Sequence, residues 1–173
     1  EPPITVVVPL YNEGKSIYDT IVSLVKLEYP KEKLEITVVD DCSTDDSYEW
    51  AMKAAREFDN VRVLRNPYNM GKRKGINHAV RESKSEIIVS VDSDVIVYPS
   101  ALRELVARFV APDIAAVGGR VHVSNPNDNW LSKLQTIKYY FGQEHLKNLE
   151  RSLKSVMCLS GCLTAYRRTV LIQ

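Results

Sequence analysis

The chain lacks several features that mark common protein classes. Its 173 residues include three cysteines, an odd number that forms no disulfide pattern and favours a reducing compartment. It contains no run of about 18 apolar residues, so no transmembrane helix is predicted within this stretch. Basic and acidic residues nearly balance, 23 against 22, which leaves no overall field to attract nucleic acid. The chain has no P-loop, and the absence of a Gly-x-Gly-x-x-Gly motif after the first strand disfavours a dinucleotide-binding oxidoreductase.

Alternating apolar segments predict the fold class. Apolar residues make up 45% of the chain, which is enough for the core of one domain. Apolar runs rich in β-branched residues predict strands at residues 4–8, 35–39, 61–64 and 87–91, with Pro9 ending the first. A fifth strand is predicted to begin at residues 115–117 and could extend beyond Gly118-Gly119. Segments of helical periodicity separate them, and the last predicted helix covers residues 130–149. Since strands that alternate with helices form βαβ units, we expect an α/β fold with a mostly parallel sheet and helices on both faces.

Asp92-Ser93-Asp94 follows the fourth predicted strand directly. Ligands of open α/β sheets bind at the carboxyl edge of the strands, where this triplet is expected to lie. Asp and Ser oxygens suit Mg²⁺ or Mn²⁺, ions that commonly bridge to substrate phosphates. The alternative interpretation is a polar turn with no ligand.

The first and second strands also end in polar residues, at the same predicted edge. Strand one runs into Pro9-Leu10-Tyr11-Asn12-Glu13 and strand two into Asp40-Asp41. A carboxylate such as Asp41 can accept the N3–H of uracil, and Tyr11 could stack on a base or simply pack over the strand ends. Asp45 is predicted to cap the helix that follows.

Residues 69–75 place three cations between two glycines. Lys72, Arg73 and Lys74 could reach a diphosphate beside a helix amino terminus. A charge run of this kind is otherwise typical of a solvated surface.

These segments together resemble the family 2 glycosyltransferases, which have the GT-A fold. The resemblance rests on four motifs in order, at residues 7–13, 38–45, 69–75 and 91–94. Residues 71–74 and 91–94, with the later stretches at 116–120 and 158–168, are most similar to hyaluronan and chitin synthases and to nodulation chitooligosaccharide synthases.

The resemblance implies roles for individual residues. Tyr11 and Asp41 would hold uracil with Glu13 nearby, Lys72 and Lys74 would contact the diphosphate, and Asp92 would lie near the ribose and the donor sugar. Asp94 would coordinate Mn²⁺ or Mg²⁺, and Asp92 and Asp94 would form the catalytic pair. The nucleotide-binding set is Pro9, Tyr11, Glu13, Asp41, Lys72, Lys74, Asp92 and Ser93, and the acceptor set is Cys158, Ser160 and Gly161.

The resemblance also implies partners and a cellular setting. The donor would be a UDP-sugar such as UDP-N-acetylglucosamine, and the acceptor a growing polysaccharide. Residues 1–95 would form the nucleotide-binding half of one GT-A domain and residues 96–173 the acceptor-side half. The parent protein would lie in a membrane with this soluble stretch on the cytoplasmic face.

The chain departs from the family pattern at its carboxyl end. The family continues to an acidic triplet with the general base, a Gln-x-x-Arg-Trp motif and membrane helices, none of which precedes Gln173. We therefore expect a fragment, with the fold incomplete at the C-terminus, that binds UDP and metal better than it catalyses, because inverting transfer needs that base. Two alternatives stay open: a sugar nucleotidyltransferase, and a module that binds a nucleotide or a partner protein without activity.

Overall fold

The central feature of the fold is one sheet covered by helices. A computed structural model of the chain describes residues 1–124, 126–142, 150, 152, 156 and 158–172. The elements in chain order are β1 (Ile4–Leu10), α1 (Ser16–Val25), β2 (Leu34–Asp40), α2 (Ser47–Glu57), β3 (Val61–Arg65), α3 (Lys72–Glu82), β4 (Ile87–Val91), α4 (Ala101–Val106), β5 (Ala116–Gly118), α5 (Trp130–Tyr140), β6 (Leu163–Arg167) and α6 (Arg168–Leu171).

The six strands follow the order β3-β2-β1-β4-β6-β5. The pairs β1–β2, β1–β4 and β2–β3 are parallel, whereas β6 runs antiparallel to both β4 and β5. The predicted mostly parallel sheet is confirmed, but sequence analysis missed β6. Its five residues, Leu163–Arg167, show neither a β-branched run nor a clear alternation, and two neighbouring strands supply the hydrogen bonds that hold it.

Helices pack on both faces of the sheet, as predicted. On β1, Val6 and Val8 point to one face and join a core with Ile21 of α1, while Val7 points to the other face and packs with Ala79 and Val80 of α3. This alternation follows from the two-residue period of a strand. Both faces of β1 are apolar because both are covered, which explains why its sequence is an unbroken apolar run.

The prediction that Pro9 ends the first strand was wrong. β1 continues through Pro9 to Leu10, which pairs with Asp40 of β2. The pairing of β1 with β4 ends at Val7, two residues before the proline. The backbone groups of successive strand residues point to opposite sides, and the Leu10 carbonyl accepts a hydrogen bond on the β2 side. The backbone nitrogen of Pro9 therefore points to the β4 side, where pairing has already ended and no N–H is needed.

The last predicted helix, residues 130–149, is confirmed over its first part. Helix α5 covers Trp130–Tyr140, and residues 143–149 of the predicted helix lie outside the described residues. In the part of the chain that the structure describes, no helix has both the length and the apolar character needed to cross a membrane.

Candidate active site

A pocket lies where the sheet changes direction of winding. The strand order reverses at β1, which has β2 on one side and β4 on the other. The loops that follow β1 and β4 therefore diverge and leave a crevice at the carboxyl ends of these two strands. The pocket there has a volume of about 260 Å³. It is lined by Pro9, Leu10, Tyr11, Glu13, Asp41, Lys72, Asp92, Ser93 and Asp94. The three strand ends that sequence analysis singled out thus meet at one site.

The acidic triplet after β4 is fixed from two directions. The backbone N–H of Asp92 donates to the carbonyl of Cys162 at 3.2 Å, and the Thr20 hydroxyl donates to the carbonyl of Ser93 at 2.8 Å. Ser93 is buried, Asp92 is half-buried, and Asp94 is exposed to the pocket. The triplet therefore presents two carboxylates from a backbone that is held in place, with Asp94 the more accessible.

Lys72, the first residue of α3, lies opposite the triplet. Its ammonium group contacts the Asp92 carboxylate, with 2.5 Å between Nζ and Oδ1. Lys74 is exposed on the same helix but does not line the pocket. Of the two lysines predicted to contact the diphosphate, only Lys72 therefore lines the pocket.

Glu13 completes an acidic rim around the pocket. Partial burial and the negative charges of Asp94, Asp45 and Asp92 raise the pKa of Glu13 above its ordinary value. A cation entering the pocket would relieve this repulsion. Among the described residues, however, no three His, Cys, Asp or Glu side chains are grouped to enclose a metal ion.

Asp41 is held by the loop that precedes α3. Its Oδ1 accepts from the Asn66 side-chain amide at 2.8 Å and from the Met70 N–H at 2.9 Å, and its Oδ2 accepts from the Gly71 N–H at 2.7 Å. Burial would raise the pKa of Asp41, but these hydrogen bonds outweigh it and lower the pKa below its ordinary value. A carboxylate has about four acceptor positions. Three are used by the hydrogen bonds described here, which leaves one on Oδ2, and Asp41 is one of the residues that line the pocket.

Hydrogen bonds join the loops after β1 and β2. Asn12 accepts from the Thr44 N–H at 2.9 Å, and the hydroxyl of Ser47 accepts from the N–H groups of Glu13 and Gly14 at 2.8 and 2.7 Å. Asn12 has φ 53°, a left-handed conformation that asparagine tolerates better than most residues. These contacts fix the position of Glu13, and sequence analysis missed them.

Asp45 accepts hydrogen bonds just before α2, but the N-cap position predicted for it is occupied by Asp46, whose side chain makes no capping hydrogen bond. Its carboxylate accepts from the N–H of Ser47, the first residue of the helix, at 3.0 Å, and from the Gly14 N–H at 3.1 Å. The Ser47 hydroxyl bond, which outweighs burial, and these backbone bonds lower the pKa of Asp45. Asp45 therefore stabilises both the helix and the loop after β1.

Cys158, Ser160 and Gly161 lie outside the pocket, in the segment before β6. Cys158 and Gly161 are exposed, and the Ser160 carbonyl accepts from the Thr164 hydroxyl. The next residue, Cys162, does not line the pocket either, but its carbonyl accepts the hydrogen bond from the backbone N–H of Asp92. The predicted acceptor residues therefore directly precede, in sequence, a residue that is hydrogen-bonded to the acidic triplet.

Taken together, an open α/β sheet with a charged pocket at its switch point defines a Rossmann-like ligand-binding domain. The sequence model for glycosyl transferase family 2 matches residues 5–173. The chain belongs to this family, as its motifs predicted.

Two curated relatives are similar to nearly the whole chain. An N-acetylglucosaminyltransferase of Sinorhizobium fredii is 31% identical over 99% of the chain and 42% of its own length. A hyaluronan synthase of Streptococcus pyogenes is 34% identical over 98% of the chain and 41% of its own length. The chain therefore spans about two fifths of these relatives.

Solved structures confirm the predicted GT-A glycosyltransferase fold. A mannosyltransferase from Pyrobaculum calidifontis, solved with GDP-Man and Mn²⁺, matches 99% of the chain and 46% of its own, with a TM-score of 0.78 and 26% identity. S. aureus TarS 1–349, solved with UDP-GlcNAc, matches 61% of the chain and 30% of its own, with a TM-score of 0.54 and 33% identity.

Proposed function

We propose that this chain carries the donor site of an inverting glycosyltransferase that uses a UDP-sugar, with UDP-N-acetylglucosamine as the favoured donor. The acceptor would be a growing β-linked polysaccharide such as hyaluronan or chitin. The observation that carries this proposal is the convergence of Asp41, Lys72, Asp92 and Asp94 on one pocket. The names of the relatives and the UDP-GlcNAc complex of TarS support the choice of donor.

The pocket offers a matching group for each part of UDP. The exposed ring of Tyr11, 46% accessible, can stack on uracil, and the free Oδ2 position of Asp41 can accept the uracil N3–H. Lys72 can bind the diphosphate. Asp92 lies beside Lys72 and can bind the ribose and the donor sugar. Pro9, Glu13 and Ser93 complete the lining of the pocket.

A divalent cation fits the pocket as a substrate-bridged ion. Asp94 is an exposed carboxylate, and Mg²⁺ sites of this kind need only one or two carboxylates because substrate phosphates and water fill the remaining positions. A bound Mn²⁺ or Mg²⁺ would stabilise the negative charge on the departing UDP. Asp92 and Glu13 add negative charge near the ion, which favours its binding at the shared edge.

The remaining proposals concern the whole protein. Residues 1–95 would bind the nucleotide, and residues 96–173 would face the acceptor through Cys158, Ser160 and Gly161. Transfer with inversion requires a base that removes the proton of the acceptor hydroxyl as it attacks the anomeric carbon and UDP leaves. We place the parent protein at the cytoplasmic face of a membrane, on the basis of its polysaccharide-synthase relatives.

Calorimetric titration with nucleotides tests the proposed donor. We expect UDP to bind, Mn²⁺ to strengthen the binding, and GDP to bind less tightly than UDP. GDP is the informative control because the mannosyltransferase neighbour was solved with GDP-Man. Absence of UDP binding with and without Mn²⁺ would contradict the proposal and favour a partner-binding module. Release of pyrophosphate from UTP and a sugar 1-phosphate would instead identify a nucleotidyltransferase.

Lys72 and Lys74 provide a matched pair of variants for the diphosphate site. Lys72→Ala should raise the dissociation constant of UDP about tenfold, because a charge-assisted contact in the pocket is lost. Its effect on uridine, which has no phosphate, should be small. Lys74→Ala removes the same charge from the same helix outside the pocket, so a change below about twofold is expected. If calorimetry shows equal losses of UDP affinity for both variants, Lys72 makes no specific contact with the diphosphate and α3 contributes only through its net positive charge.

A further inference from the structure

A buried amide links Asp41 to a histidine on α3. Asn66, 2% exposed, donates its Nδ2 to Asp41, and its Oδ1 lies 3.1 Å from Nδ1 of His78. The Asn66 backbone is also fixed, since its N–H donates to the Asp40 carbonyl at 2.8 Å.

The chemistry of the carboxylate determines the orientation of both partners. The pKa of Asp41 is lowered, so at neutral pH this side chain can only accept hydrogen bonds. The Asn66 group that faces it must therefore be the NH₂, and the Asn66 oxygen must face His78. A hydrogen bond to that oxygen requires a proton on Nδ1 of His78. The neutral ring is thus assigned to the Nδ1–H tautomer, with Nε2 left as an acceptor.

This chain of contacts affects what Asp41 can recognise. Asn66 and the Met70 N–H occupy Oδ1, and the Gly71 N–H occupies one position of Oδ2, so the carboxylate cannot rotate without losing bonds. Its free position is a fixed acceptor. Uracil offers an N3–H there, whereas cytosine offers an unprotonated N3 and would place two acceptors against each other.

We propose that Asn66 and His78 are positioning residues that hold Asp41 as a rigid acceptor, so that the site admits uracil and rejects cytosine. This inference rests on the proposed function, because it assigns the base specificity of the same pocket. Neither residue lines the pocket, and both act through Asp41.

The tautomer of His78 can be measured without any nucleotide. ¹⁵N NMR of the free protein, with the imidazole of His78 neutral, should show the Nδ1–H form, and the His78 signal is identified by its loss in His78→Asn. An Nε2–H ring would overturn the proposal. This measurement needs no ligand, so it tests the positioning contacts alone. Failure of the proposed function would instead appear as the absence of UDP binding to the unmodified protein.

Two isosteric amides at position 78 test the effect on specificity. His78→Asn places an N–H donor near the position of Nδ1 and should keep the ratio of the CDP and UDP dissociation constants close to that of the unmodified protein. His78→Gln carries its donor near the position of Nε2, and the ratio should fall about fivefold, as for one lost hydrogen bond. Asn66→Ala should lower the ratio about tenfold.

Calorimetric titration of UDP and CDP with each variant provides the measurement. Thermal unfolding confirms that the two amide variants, both polar and similar in size, remain folded. Equal weakening of UDP and CDP, with an unchanged ratio in His78→Gln and Asn66→Ala, would show a purely structural role and overturn the proposal. A ratio that falls equally in His78→Asn and His78→Gln would also overturn it, because the position of the donor would then be irrelevant.

Discussion

Asp94→Ala is expected to remove the metal-dependent part of UDP binding while the fold stays intact. Asp94 is exposed, and none of the hydrogen bonds that fix the triplet involves its side chain, so its loss should cost little stability. The ion would lose its protein ligand at the carboxyl end of β4. We expect a loss of about 100-fold, roughly 2.7 kcal/mol, in UDP affinity with Mn²⁺ present, and no loss without it.

Calorimetry with and without Mn²⁺ measures this effect, and Asp59→Ala is the matched control. Asp59 is an exposed carboxylate that precedes β3 at the amino edge of the sheet, opposite the pocket. Its replacement removes the same charge and should leave the Mn²⁺ dependence unchanged. If Asp94→Ala keeps its full Mn²⁺ dependence, the metal binds elsewhere and the assignment of Asp94 is wrong.

Asp41→Ala should reduce both base selectivity and stability. It leaves three donors without their acceptor, from Asn66, Met70 and Gly71. Buried donors without partners cost about 1–3 kcal/mol each, and partial hydration of the loop should limit the total to about 2–4 kcal/mol. For a domain of this size the unfolding temperature should then fall by roughly 4–16 °C. The preference for UDP over ADP should fall about tenfold, because adenine lacks an imino N–H that the carboxylate could accept.

The comparison variant for Asp41 is Asp46→Ala, in the same loop. Asp46 is exposed and accepts only the Trp50 indole N–H among the hydrogen bonds described for its side chain, at 2.9 Å. Calorimetry should show an unchanged UDP-to-ADP preference, and scanning calorimetry a much smaller drop in unfolding temperature. A UDP preference that survives in Asp41→Ala would place the base pocket away from this carboxylate.

The pH dependence of stability gives a second readout for Asp41. Its pKa is lowered from 3.8 in the folded protein, so its contribution is present above the unfolded value and is lost as the pH falls through the folded value. Asp41→Ala should therefore differ most from the unmodified protein at neutral pH. The difference between the two free energies of unfolding should narrow as the pH falls below 3.8, because the part that depends on the ionised carboxylate is lost.

The sequence predicted the parts of the site that strands deliver directly. Asp41, Asp92 and Asp94 follow apolar runs, and in a parallel sheet the carboxyl ends of such runs share an edge. Tyr11 and Glu13 follow in the same way from β1. The position of these residues in the fold follows from the local sequence pattern, because a buried parallel strand determines both the direction of the chain and the edge of the sheet at which the strand ends.

The contacts that organise the site could not be read from the sequence in the same way. Asn66 reaches Asp41 only because β2 and β3 are neighbours, and His78 reaches Asn66 only because α3 packs across β2. Such contacts depend on how loops fold back between elements, and no local periodicity records that. An Asn-Pro pair such as Asn66-Pro67 is typical of a loop, and nothing in that pattern distinguishes a buried amide donor. The antiparallel β6 was missed for a related reason, since its order comes from its neighbours.

The position of β6 has a consequence for how the protein matures. Val91 pairs with Leu163, and Asp92 is bonded to Cys162, so a strand made near the end of this stretch completes the surroundings of the triplet. While the chain is being synthesised, the edge of β4 stays open until residues 163–167 emerge from the ribosome. An open apolar strand edge invites pairing with other chains. We therefore expect the surroundings of the acidic triplet to be completed late, and the edge of β4 to be most open to pairing with other chains before that point.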